Sequence, residues 1–284
     1  MKRLIRVTMH GAVSVVNAVS NGYGSALGIS LKIMVDMSIS SGKGIYLNAT
    51  EGEKLVNSVI RRALPKRVIS NNAIRIKIRS EVPIGSGLKS SSAVSNAIAL
   101  ASHKFLDEEI DDIKVINQAA DASIEAGVSL TGAFDDSAAC YFGGFVITDN
   151  FSRRLIRREP ASEELFAVIL IPAQESRGNL LNLYLLPEVF DLAFKMASEG
   201  DYWKAMKLNG MAVGALLGND YSPVISAIKA HAISAGISGN GPSVVAITES
   251  NRLKELESSL LGYEGQVLIS KVNNQKASVE DIDG

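Results

Sequence analysis

Three clusters of small and polar residues have the composition of a reactive site. The first is Pro83-Ile84-Gly85-Ser86-Gly87-Leu88-Lys89-Ser90-Ser91-Ser92-Ala93. It lies between a strand-like run, Ile74 to Arg79, and an Ala-rich helical run from Ser90 to Phe105. Glycine lets backbone N–H groups approach an anion, and a helix N-terminus adds partial positive charge. Three serine hydroxyls at the mouth can bind phosphate or a magnesium ion that escorts it. The loop is not the common P-loop, because Lys89 follows Leu88 where that pattern has glycine. Nor is it G-x-G-x-x-G, because the residue three after Gly87 is Ser90. The plain alternative is a serine N-cap on an ordinary helix.

The second cluster is Thr131-Gly132-Ala133-Phe134-Asp135-Asp136-Ser137-Ala138-Ala139-Cys140-Tyr141-Phe142-Gly143-Gly144. An aspartate among such residues can orient an attacking hydroxyl and take its proton. The alternative is that Asp135 caps the helical stretch that follows. Glu125 closes the preceding helical run, eleven residues before Asp136, and offers a hard carboxylate oxygen to magnesium. Its alternative is a surface carboxylate, the usual fate of glutamate. The third cluster, Ser238-Gly239-Asn240-Gly241-Pro242-Ser243, precedes a strand-like run to Thr248. Its glycines call for a close approach of backbone to a partner or for a simple turn.

These clusters need elements to hold them. Lys2 to Met9, Leu31 to Ser40, Gly44 to Asn48 and Phe145 to Thr148 read as strands. Glu51 to Leu64 and Asp111 to Ala126 read as helices, the second with Ile113, Ile116, Ala120 and Ile124 near one face. Gly11 to Gly28 reads as a loop packed closely against a neighbour. Beyond it, Leu165 to Ile171, Ser243 to Thr248 and Gln266 to Val272 read as strands. Pro187 to Ser198, Asp201 to Leu217, Pro223 to Ala235 and Arg252 to Leu261 read as helices. The tail from Asn273 is polar and expected to fray. Strands and helices mix without strict βαβ alternation, which argues for the α+β class. A length of 284 residues exceeds a comfortable single core, so two lobes are expected, 1–155 and 156–284.

Composition narrows the function classes. The chain is 46% hydrophobic and 21% charged, a globular balance. A net charge of −1 provides no field to recruit nucleic acid. The basic run Arg153, Arg154, Arg157 and Arg158 reads as a solvated face. Cys140 is the single cysteine, so no intramolecular disulfide or thiolate zinc site forms, in keeping with a reducing cytoplasm. His10, His103 and His231 lack metal-ligand spacing. No apolar run has the roughly 20 residues of a membrane span, and no membrane partner is expected.

Taken together, the clusters resemble the three motifs of the GHMP kinase superfamily. Pro83 to Ala93 is similar to its P-x-x-x-G-L-G-S-S-A-A loop, and Ser238 to Ser243 to its C-terminal glycine motif. Asp136, seven residues before Gly143, matches the catalytic aspartate of the mevalonate kinase-like members, and Glu125 their magnesium-binding glutamate. The segment Gly11-Ala12-Val13-Ser14-Val15-Val16-Asn17-Ala18-Val19-Ser20-Asn21-Gly22-Tyr23-Gly24-Ser25-Ala26-Leu27-Gly28-Ile29 resembles that of archaeal-type shikimate kinases. Lys89 departs from the glycine common at its position. The resemblance implies an N-terminal lobe like ribosomal protein S5 domain 2 and a ferredoxin-like C-terminal lobe, with ATP and shikimate between them. It implies phosphoryl transfer to the shikimate 3-hydroxyl, with ATP held by Pro83 to Ala93. It further implies that magnesium (Mg2+) is held by Ser91 and Glu125, and that Asp136, with Asp135 beside it, acts on the hydroxyl. Asn17, Arg177, Gly239 and Gly241 are the expected substrate contacts, Arg177 for the carboxylate, and Tyr23 a further lining residue. A homoserine or mevalonate kinase, or a non-catalytic ligand sensor, are the competing readings.

Overall fold

The computed structural model describes residues 3–48, 52–173 and 178–282. Among these, the strands form two sheets. The first is organised around a long hairpin, β1 (Leu4–Val16) with β2 (Tyr23–Ser41). The far half of β2 pairs with β4 (Asn72–Ser80), beside which β3 (Gly44–Leu47) runs parallel. The near half of β2 pairs instead with β5 (Phe145–Asp149), and β5 with β6 (Arg154–Glu159). One long strand thus serves two neighbours at its two ends and leaves a fork between them. The helices of this lobe are α1 (Glu53–Ala63), α2 (Lys66–Asn71), α3 (Ser90–Phe105), α4 (Asp112–Glu125) and α5 (Phe134–Phe142).

The second sheet is antiparallel, in the order β10 (Gly265–Lys271), β7 (Leu165–Pro172), β9 (Val244–Glu249), β8 (Ser234–Ile237). Its helices are α6 (Pro187–Ser198), α7 (Tyr202–Leu217), α8 (Ser222–Lys229) and α9 (Leu253–Leu260). Helices lie between the first and second strands and between the third and fourth, which is the ferredoxin-like arrangement. One continuous core crosses the lobe junction. Ala167, Ile169 and Val245 of the second sheet pack with the residues that β1 and α5 bury. Phe145 stacks on Tyr202 with ring centroids 3.8 Å apart.

Several expectations need correction. Gly11 to Gly28 is not a loop but the buried ends of β1 and β2 with a short turn between them. Small residues are required there because both faces are covered: a Cβ on Gly28 would lie 2.8 Å from the Asn273 carbonyl oxygen. The 155/156 boundary falls inside β6, which belongs to the first sheet. The tail does not fray. It returns as β11 (Ser278–Ile282), an edge strand on β1, and Asp281 there accepts from Arg3 Nε at 2.6 Å. Its polar residues fit an edge with one open side. Helix α2 has no counterpart in the expected elements, and the helix expected over 223–235 stops at Lys229. The basic run is not simply solvated either. Arg157 donates to the carbonyls of Ala197 and Ser198, and Arg158 to those of Phe142 and Gly143. These arginines tie β6 to the ends of α6 and α5. No helix among the described residues is long and apolar enough to cross a membrane.

Candidate active site

Strand β4 leads into the glycine-serine loop, and α3 begins at Ser90. The serines do not cap that helix. Lys89 is the N-cap, in the left-handed region at φ 70°, and no side chain bonds to the first-turn amides. Those amides, which have no partner within the helix, face a cleft of about 610 Å³. Ser90, Ser91 and Ser92 line its floor together with Gly85, Ser86 and Gly87. Leu88 and Ala93 are buried in the core and anchor the loop from below, and Pro83 also lies off the cleft wall. Ser86 Oγ is spent on the Pro83 carbonyl at 2.8 Å.

The third cluster braces the first. Ser238 Oγ donates to the Gly87 carbonyl at 2.9 Å and accepts from the Ser14 amide at 3.1 Å. Gly87 has φ 81°, and a Cβ there would stand 2.5 Å from the Ser238 carbonyl oxygen. The glycine is therefore needed twice, for its backbone angle and for its bare surface. Gly239, Asn240 and Gly241 form the opposite wall. Asn17 lines the cleft, but its amide is committed: Nδ2 donates to the Gly239 carbonyl (3.1 Å) and Asn240 Oδ1 (2.8 Å), and Oδ1 accepts from the Val19 amide. It joins the lobes rather than presenting a free donor.

The acceptor end is made of side chains. Asp136, in the first turn of α5, has Oδ1 2.9 Å from Lys89 Nζ. The same ammonium donates to Ser14 Oγ at 2.7 Å. Lys89 thus turns from the phosphate loop toward the aspartate, and no glycine could substitute for that contact. The charges balance each other in a site where either alone would be costly. Asp135 is 4% exposed and yet lines the cleft. It does not cap the helix, whose N-cap is Ala133. Its Oδ1 accepts from Asn150 Nδ2 at 2.8 Å. Burial, reinforced by the neighbouring Asp136 charge, pushes the Asp135 carboxyl up to about 7. Cys140, one turn after Asp136, is fully buried, and that burial pushes its thiol up, so it is an inert packing residue.

Two expected site residues are not brought here. Glu125 sits at the end of α4, half-exposed, with its carboxylate accepting from Arg62 Nε at 2.9 Å. The nearby Ser58 hydroxyl and the Arg62 guanidinium hold that carboxyl below its usual range. It faces α1, outside the cleft, so matching spacing did not produce matching direction. Tyr23 stacks on Phe194 of α6, centroids 4.7 Å apart, and does not line the cleft. Arg177 lies outside the described residues. Conversely, Ser14, Asn150 and the apolar wall of Leu55, Val56, Ile78, Val94 and Leu130 were not singled out beforehand. No motif marks them, because they matter only through what folding places beside them.

The donor set suits magnesium, which is usually held by one or two carboxylates plus substrate phosphates. The Ser90, Ser91 and Ser92 hydroxyls and the carboxylates of Asp135 and Asp136 are among the oxygens the cleft offers. No group of three or more metal-binding side chains occurs among the described residues, and none is needed for that mode.

The two-lobe fold and this site define a GHMP kinase. A family model described as the GHMP kinases N terminal domain matches residues 54–144. The mevalonate kinase of Methanococcus jannaschii has the same fold at a TM-score of 0.75, over 95% of this chain and 98% of that one, with 16% identity. Sequence relatives are more specific. A shikimate kinase from Methanobrevibacter smithii is 36% identical over 96% of this chain and 98% of its own. One from Pyrococcus furiosus is 39% identical over 86% of this chain and 92% of its own. The chain belongs to the archaeal shikimate kinase family of the GHMP superfamily.

Proposed function

We propose that this chain is a cytoplasmic shikimate kinase that transfers the γ-phosphoryl group of ATP to the 3-hydroxyl of shikimate. Phosphoryl transfer asks mainly for positioning and for stabilisation of charge. The first-turn amides of α3 and the Ser90 to Ser92 hydroxyls hold the phosphates, where the helix dipole favours negative charge. The wall of Leu55, Val56, Ile78, Val94 and Leu130 takes the flat base. Ser91 would hold magnesium beside the nucleotide phosphates, and the ion would neutralise charge there. Glu125 has no part in this.

Asp136 orients the acceptor hydroxyl and takes its proton as the new O–P bond forms and the bond from the γ-phosphorus to ADP breaks. Lys89 keeps the Asp136 carboxylate in place, and Ser14 keeps Lys89 in place. Gly239 and Gly241 contribute bare backbone to the wall that closes the cleft from the second lobe. The observation that carries this reading is the Lys89–Asp136 pair at the mouth of α3. It unites the phosphate loop and the proton acceptor in one cleft, in a chain whose relatives are named for shikimate.

A coupled ADP-release assay with shikimate, homoserine, mevalonate and galactose tests it. Turnover with shikimate is expected to exceed that with each other alcohol by at least about tenfold, a margin of 1.4 kcal/mol. Homoserine or mevalonate turned over as well as shikimate would reassign the acceptor while leaving the fold intact. ATP binding with no turnover on any alcohol would make the chain a sensor.

A further inference from the structure

Asp135 is a buried ionisable group that phosphate chemistry does not require. Burying a carboxyl is costly unless its surroundings compensate. Here they do so through a dedicated seat. Asn150, 1% exposed in the turn after β5, grips Asp135 twice: Nδ2 donates to Asp135 Oδ1, and its own Oδ1 accepts the Asp135 backbone N–H at 3.1 Å. Thr148 Oγ1 also donates to Asn150 Oδ1 (2.8 Å), which sets the amide's orientation, and the Asn150 backbone N–H donates to the Gly22 carbonyl at 2.8 Å. On the other side, β2 presents Gly24. A Cβ on Gly24 would lie 2.6 Å from Asp135 Oδ2. Gly24 has no left-handed backbone angle to explain it. It is glycine because the carboxyl occupies the space of its side chain.

Three elements therefore cooperate to hold one carboxyl at the cleft wall, one residue from the aspartate that takes the proton. The two carboxyls are equipped differently. Asp136 is ion-paired with Lys89 and serves as an acceptor. Asp135 has a neutral amide partner and lines the same cleft, so its carboxyl is placed to bond a hydroxyl there. Neighbouring carboxyls with such different partners are suited to separate tasks.

We propose that Asp135, seated by Asn150 and Gly24, reads the hydroxyl adjacent to the one Asp136 deprotonates, so that the site selects a vicinal diol. The inference rests on the shikimate kinase reading above. A site built to bond a hydroxyl discriminates strongly against an analogue that lacks it, because its own polar group is then left unpaired.

The test compares kcat/KM for shikimate with that for its analogue lacking the 4-hydroxyl. The unaltered enzyme is expected to prefer shikimate by about 100-fold. Asp135→Ala should bring the ratio to within about threefold, mostly by lowering kcat/KM for shikimate, with the dependence on magnesium concentration unchanged. Asn150→Ala, which loosens the seat without removing the carboxyl, should give an intermediate ratio. If Asp135→Ala does not fold, the unaltered enzyme and Asn150→Ala still decide. Shikimate turnover without preference over the analogue overturns the inference alone, as does a variant whose activity falls equally on both. No turnover of shikimate by the unaltered enzyme overturns the function reading instead.

Discussion

At the Pro83–Ala93 end of the cleft the working groups are backbone amides and short hydroxyls, presented by one continuous stretch of chain. At the Asp135–Asp136 end they are polar and charged side chains, and they come from β1, the α3 N-cap, α5 and the turn after β5. The first end is shaped by absence of atoms: Gly87 has nowhere to put a Cβ against the Ser238 carbonyl. The second is shaped by pairing. Lys89 stands 2.9 Å from Asp136, and Asn150 donates to Asp135 at 2.8 Å. A backbone site should fail when atoms are added. A paired site should fail when charge or hydrogen bonding is altered at constant shape.

The largest effect is expected at the paired end. Asp136→Asn keeps the shape and removes the proton acceptor, so kcat should fall by about 10²–10⁴-fold. ATP and shikimate affinity, measured by calorimetry, should change far less, because the lost interaction belongs to the transition state. A variant with near-normal kcat would move the base to Asp135. At the backbone end, Gly87→Ala places a side chain at φ 81° and against Ser238. The left-handed angle alone costs about 1–2 kcal/mol, so the melting temperature should drop and KM for ATP should rise about tenfold or more. Unchanged KM for ATP would show that the loop does not approach the nucleotide.

The smallest effect is expected outside the cleft. Glu125→Gln leaves a side chain that can still reach Ser58 and Arg62. Activity measured against magnesium concentration should be superimposable on that of the unaltered enzyme, with a slight change in melting temperature. A shift of tenfold in the magnesium requirement would return Glu125 to the metal and contradict the description of the acceptor end.

What was legible followed the same division. The loop was readable because a glycine-serine turn into a helix is local: glycines at fixed offsets, serines at a helix start, one stretch of sequence. Even the limits of α3 agree with the expected Ser90 to Phe105. The Gly11 to Gly28 segment was misread because small residues mark both loops and closely packed strands, and only the neighbours tell them apart. Glu125 lies outside the cleft for a related reason. Spacing along a helix sets which residue arrives at the end of α4, but the angle at which α4 packs on α1 sets where its side chain points.

By itself the sequence determined the α+β class, the glycine-serine loop before α3, the candidate aspartates and the family resemblance. Each rests on local pattern or on composition. Tertiary structure alone decided that Lys89 turns to Asp136 and Ser14, that Asn17 braces the lobes, and that Asp135 is buried against Gly24 and Asn150. Those outcomes depend on contacts between residues 15 to 223 positions apart. No local preference encodes such a contact; it exists only once two sheets and their shared core have closed around the cleft.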